Sequence, residues 1–233
     1  MILLGLISHS IKFETIIQGV ADVKPSLWAI VIALTSLQIL ALAFRWQILV
    51  NVQTDRISYR YALKTVLASF LANYLFITSV GGMIVRIAMN LHQGIPLIKS
   101  IAASVLDRFF TLFSLIILAA IFLPVLSDLV TTDIFHQTLF LCACCFIGIA
   151  GLLLFLLEGP RKKIIFSHRK IALCFQYMRS VFIRKNRFLQ ASIVSIIAQT
   201  AHFAASYFIL KSMGIEFSLL HFATIIPVIT IIS

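Results

Sequence analysis

Residues 104–126 read SVLDRFFTLFSLIILAAIFLPVL, an apolar run of bilayer length whose only charged residues, Asp107 and Arg108, stand near its start. A hydrocarbon core of roughly 30 Å is crossed by about 20 helical residues, and the backbone inside it must satisfy its own polar groups. The stretch therefore predicts a membrane-crossing helix. Outward from it, comparable runs lie at 27–50, 61–80, 139–157, 188–210 and 219–233.

The whole chain agrees with that reading. Of its 233 residues, 61% are hydrophobic and 12% charged, against about half and a quarter in soluble domains, and mean hydropathy is +1.07. The expected fold is all-α: a polytopic transmembrane helical bundle forming a single membrane domain over 1–233. The short apolar start at 1–7 and the last run, which stops without a polar flank, suggest that both ends are truncated. Cys142, Cys144, Cys145 and Cys174 lack neighbours at ligand spacing, so no metal and no cofactor are expected.

Net charge is +11, and much of the excess falls in 161–187, which has nine Lys and Arg and no acid. Between two apolar runs this reads as a basic cytoplasmic loop facing anionic lipid, with no nucleic acid involved. The loop at 127–138, with Asp128 and Asp133 and no base, fits the opposite side. Arg45, Arg56, Arg60 and Lys64 ask to be inside on one flank of the 61–80 run, while Arg86 and Lys99 ask the same on the other. One ordinary span cannot satisfy both. A re-entrant or broken helix pair from 61 to about 91, turning at Gly81 and Gly82, does.

Candidate functional residues gather in this region. Gly81 and Gly82 permit a sharp turn and close approach of a ligand. A helix starting after them would aim N–H groups at an anion, and Arg86 would add a bidentate phosphate contact. The alternative is an ordinary loop, with Arg86 reaching the headgroups. Asp107 and Arg108 would each cost roughly 2.5–3.5 kcal/mol at mid-bilayer and so need compensation, with Arg86 the candidate partner of Asp107; both could instead sit at headgroup depth. Ser100, Ser104, Asp107, Thr111 and Ser114 share one helix face, as do Ser192, Ser195, Gln199, His202 and Ser206. Such polar stripes serve either helix packing or a polar passage. The basic stretch at 167–187 also has the pattern of an amphipathic helix lying on lipid. Phosphate-loop and nucleophile-elbow motifs are absent from the sequence.

Three places carry a family resemblance: Arg45-Trp46 followed by Ile48-Leu49; Asn73 followed by Gly81-Gly82 and Arg86; and Gly94 through Ser100 leading to Leu106-Asp107-Arg108. In these the chain resembles, over nearly its whole length, the transmembrane domain of the lysylphosphatidylglycerol synthases and the related flippase-like inner-membrane proteins of bacteria and archaea. Members usually have an acid directly after the glycine pair and a proline shortly before it. Met83 and the stretch 76–80 stand there instead. Members also continue into a second Pro- and Gly-rich motif ending in Arg-Glu, whereas this sequence stops at Ser233.

The resemblance implies a multi-pass protein of the bacterial cytoplasmic (inner) membrane that handles lipid without a soluble aminoacyl-transfer domain. The leading expectation is a flippase-like carrier of a phospholipid or other envelope lipid, with Arg45, Gly81, Gly82, Arg86, Asp107 and Arg108 as lipid-binding candidates. The alternative is a membrane-embedded transferase or accessory subunit for a polyprenyl or hopanoid lipid, with Asp107 as its carboxylate. A scaffold recruiting envelope-lipid enzymes is a third reading.

Overall fold

The computed structural model describes residues 25–52, 57–76, 79–126 and 169–212, together with residues 143, 146–148, 151, 218, 222 and 226. Among the described residues the chain is helical with no strand. The helices are α1 (Pro25–Val50), α2 (Tyr59–Phe76), α3 (Ser79–His92), α4 (Leu97–Leu126), α5 (Arg169–Ile183) and α6 (Lys185–Ser212). Three of them, α1, α4 over Leu97–Phe122 and α6, are long and apolar enough to cross a membrane. Apart from isolated positions, the expected runs at 139–157 and 219–233, the start at 1–7 and the acidic loop at 127–138 lie outside the described residues. So do Cys142, Cys144 and Cys145.

Pro25 occupies the first position of α1, where its missing N–H leaves no bond unmade. The N-terminal part of α1 exposes Trp28, Ile30, Ile32, Leu37 and Leu40, while Ala43, Arg45, Trp46, Ile48, Leu49 and Val50 near its end are buried. That division suits a helix that faces lipid over much of its length and packs against protein at one end. α6 meets α1 through buried small residues, Ala191, Ser195, Ala198, Ala201 and Ala205, at steps of three and four that bring two helix backbones close. Arg45 lies opposite Ser195, and Gln38 borders the same pocket as Gln199, so the two helices run antiparallel.

The broken helix pair is present, but its turn is elsewhere than expected. Helix α2 ends at Phe76 and α3 begins at Ser79, so Gly81 and Gly82 lie inside the first turn of α3. Neither has a positive φ. The physical role of Gly82 is close approach: a Cβ there would fall 2.5 Å from Asn73 Oδ1 and 2.8 Å from the Ser69 carbonyl oxygen. Its N–H instead donates to Asn73 Oδ1 at 2.7 Å. Two further bonds follow along the pair, Arg86 Nε to Ser69 Oγ at 3.1 Å and the Tyr61 hydroxyl to the Met89 carbonyl at 2.7 Å. These fix α2 and α3 as an antiparallel hairpin that begins and ends at the same end of the bundle. Gly82→Ala should force the hairpin apart and lower stability by about 1–3 kcal/mol, measured as a drop in the thermal unfolding midpoint in detergent.

At the far end of the hairpin, Gly94 with φ 70° terminates α3, its N–H bonded to the Leu91 carbonyl at 2.9 Å. The left-handed conformation there favours glycine. Pro96 then leads into α4. This arrangement gathers the end of α1, both ends of the hairpin, the start of α4, α5 and the start of α6 at one end of the molecule. Arg60, Lys64, Lys99, Arg169, Lys170, Arg179, Arg184, Lys185 and Arg187 all belong to these segments, which together form a basic end.

The expectation that 167–187 lies on lipid through its apolar face is corrected here. Much of that stretch is α5, but Tyr177, Met178 and Val181 are buried in the main core beside Trp46, Leu49, Phe109 and Phe110, with Phe175 and Phe182 packed on it. Among the described residues, Leu173 and Ile183 are large apolar side chains that α5 leaves exposed. Helix α5 also caps α1: the Tyr177 hydroxyl lies 2.7 Å from the Leu49 carbonyl and 2.8 Å from that of Val50, and Arg184 donates to the Val52 carbonyl. The first two are terminal carbonyls of α1 without partners inside the helix, and Val52 follows just after its end. Burial pushes the Tyr177 phenol up, which keeps it a donor. Tyr177→Phe should lower stability by about 1 kcal/mol, readable in the same melt.

Candidate functional site

Asp107 enters α4 ten residues after its first residue, which places it about 15 Å from that end at about 1.5 Å per residue. An ionised carboxylate at such depth needs partners, and two arginines supply them. Arg45 Nε donates to Asp107 Oδ1 at 2.8 Å, with Nη2 at 2.7 Å from the same oxygen. Arg86 Nη1 donates to Asp107 Oδ2 at 2.7 Å. The Arg86–Asp107 pair expected from the sequence is therefore formed, and Arg45, 62 residues away from Asp107 in sequence, joins it.

Three hydroxyls accept from further arginine donors. Arg45 Nη1 reaches Ser195 Oγ and Nη2 reaches Thr111 Oγ1, each at 3.0 Å. Both hydroxyls send their own hydrogens to the carbonyl four residues back, Ser195 to Ala191 and Thr111 to Asp107. Ser69, which accepts from Arg86, does the same toward Thr65. Each hydroxyl thus turns a lone pair toward a guanidinium. The Arg86 guanidinium also lies over the Trp46 ring, 4.9 Å from its centroid, a cation–π placement.

Two arginines against one carboxylate leave one positive charge in excess. The arginines differ in access: the Arg45 side chain is 3% exposed and that of Arg86 15%. Arg45 is locked into the bundle, whereas Arg86 borders open space. That space is a pocket of about 170 Å³ lined by Gln38, Asn73, Gly82, Met83, Arg86, Arg108 and Gln199, among others. One water needs about 10–15 Å³ by this measure, so a phosphate-sized group fits. Gln38 precedes Arg45 on α1, Gln199 follows Ser195 on α6, and Asn73 and Gly82 lie near the hairpin turn. The pocket therefore extends from the triad away from the basic end. On the other side of the triad lies the apolar core containing Trp46, Leu49, Leu106 and Tyr177.

Of the candidates from sequence, Arg45, Gly82, Arg86, Asp107 and Arg108 come together at this pocket. Gly81 is buried and is not among the lining residues. The N–H groups after the glycines are not all open to an anion, because Asn73 holds that of Gly82. The first polar stripe faces inward from end to end, with Ser100, Ser104, Asp107 and Ser114 buried, and the second is buried at Ser195. Gln199 reaches the pocket, while His202 and Ser206, half-buried further along α6, do not line it. Ser69, Asn73 and Gln38 were not singled out as site residues from sequence. Thr65, Ser69 and Asn73 at steps of four, and one amide within the apolar start of α1, were the available signals.

Met83, standing where the resemblance expects an acid, lines the pocket, so that position adds no negative charge. No group of three or more His, Cys, Asp or Glu side chains able to hold a metal occurs among the described residues. No curated protein and no solved structure gives a significant match to the chain. The family model described as lysylphosphatidylglycerol synthase TM region matches residues 1–233, the whole chain. Together with the three apolar helices, this makes the protein a membrane protein connected with lipid, and the chain belongs to the lysylphosphatidylglycerol synthase TM region family.

Proposed function

We propose that this protein is a flippase-like carrier, which moves a phosphate-bearing lipid between leaflets with the headgroup in the pocket over Arg86 and the tails in the bilayer. The observation that carries the proposal is the uneven triad: a pocket at the depth of the spanning helices, walled by protein amides and hydroxyls, with one arginine charge beyond what Asp107 neutralises. A phosphate replaces one Asp107 contact of Arg86 with a charge-assisted bond of the same kind. Arg45 keeps the carboxylate paired meanwhile. The basic end faces the cytoplasm of a bacterial inner membrane by the positive-inside rule, so the pocket lies on the outer side of the triad.

The transferase alternative needs a carboxylate able to accept a proton from a substrate. Both oxygens of Asp107 already accept arginine N–H groups, which favours the carrier. The test is lipid movement in proteoliposomes of phosphatidylglycerol and phosphatidylethanolamine, with acyl-labelled reporter lipids whose outer-leaflet copies are bleached by dithionite. Labelled phosphatidylglycerol should cross faster than in empty vesicles, and labelled diacylglycerol glycoside, which lacks phosphate, should gain nothing. Equal acceleration of both lipids, or of neither, would contradict the proposal.

A further inference from the structure

Directly behind Arg86, on the side away from the pocket, two polar side chains sit in the core with no hydrogen-bond partner among the described residues. Asn90 and Trp46 are both 0% exposed. Neither Nδ2 nor Oδ1 of Asn90, nor Nε1 of Trp46, has a hydrogen bond among the described residues. Asn90 follows Arg86 by one helical turn on α3, so the two share a face, and the Trp46 ring lies under the Arg86 guanidinium. Neither residue lines the pocket. Both lie toward the basic end, since Asn90 is near the end of α3 and Trp46 near the end of α1.

Buried polar groups are nearly always paired, and an unpaired one carries its desolvation penalty without return. Leucine at 90 or phenylalanine at 46 would fill these places without that penalty. The groups are costly in this conformation and chemically suited to another one. Indole N–H is a donor only, and the amide adds two more N–H groups, so the set matches an anion or the water it brings. Arg86 separates them from the pocket, and it is the arginine of the triad with access to open space.

We infer that Trp46 Nε1 and the Asn90 amide form a second, inner seat for the phosphate-bearing headgroup, reached when Arg86 moves with its ligand from the pocket toward the basic end. The inference rests on the carrier reading and adds a route to it. In the seat, the indole N–H and the amide N–H groups gain an acceptor, Asn90 Oδ1 takes a donor from the water the headgroup brings, and the headgroup stays hydrogen-bonded while it passes the apolar core beside α5.

The test uses the full chain in the proteoliposomes above, with Asn90→Leu and Trp46→Phe. Asn90→Leu should raise the thermal unfolding midpoint, because an unpaired amide is removed. It should also slow movement of labelled phosphatidylglycerol about tenfold, the factor that about 1.4 kcal/mol carries. Photolabelling of the outer pocket by a headgroup-reactive phosphatidylglycerol should stay at the unmutated level. Trp46→Phe, which keeps a ring under Arg86, should slow movement in the same direction. Unchanged movement in both variants would overturn the inner seat and leave the carrier reading standing. A lowered midpoint or loss of folded Asn90→Leu would also overturn it, because the amide would then be a structural group. If the unmutated chain itself moves no lipid, the carrier reading fails first and the seat falls with it.

Discussion

Asp107→Asn is expected to be the most destabilising single substitution in the described part of the chain. The carboxylate is the shared counter-charge of Arg45 and Arg86, both bonded to it at 2.7–2.8 Å. Without it, two guanidinium groups face each other across a site where the Arg45 side chain is 3% exposed. Breaking a buried pair from one side costs about 3–5 kcal/mol, comparable with much of the net stability of a typical domain. The loss should appear as a steep fall in folded yield and in the unfolding midpoint. Asp107→Asn with the melting behaviour of the unmutated chain would show that the triad does not hold the bundle together.

Arg86→Ala is expected to separate function from folding. Removing Arg86 leaves Asp107 in a one-to-one pair with Arg45, so the fold keeps its central ion pair. The pocket, however, loses the more exposed arginine of the triad and the triad's excess positive charge, while Arg108 stays at its wall. A hydrogen bond to a charged group contributes roughly 1.5–3 kcal/mol, or about ten- to hundredfold in rate or occupancy. Movement of labelled phosphatidylglycerol should fall by about that factor while the protein still runs as a folded species. Movement at the unmutated rate would remove Arg86 from the site.

These two predictions come from residues already conspicuous in the sequence, because charges in apolar runs are expensive and must be compensated. Asp107 therefore asked for a partner, and Arg86 was the nearest basic candidate beyond the glycine pair. That Arg45 would be the second partner was hidden, since nothing in the sequence says that α1 and α4 meet at that level. The broken helix pair was legible from charge parity alone. Its turn was not, because a glycine pair serves equally for a bend and for close helix contact. Asn73 decides for contact by taking the Gly82 N–H. The α5 pattern was ambiguous for a related reason: an apolar face looks the same in sequence whether it covers lipid or the end of α1.

The account turns on whether a lipid phosphate enters the pocket over Arg86. The most direct measurement is photolabelling of the folded protein in vesicles by phosphatidylglycerol carrying a photoreactive headgroup, with labelled positions read by peptide mass spectrometry. The account predicts label at pocket residues such as Met83 and Gln199, displaced by unlabelled phosphatidylglycerol and lost in Arg86→Ala. Label confined to exposed positions such as Leu37, Leu71 and Ile193, and indifferent to Arg86, would contradict it.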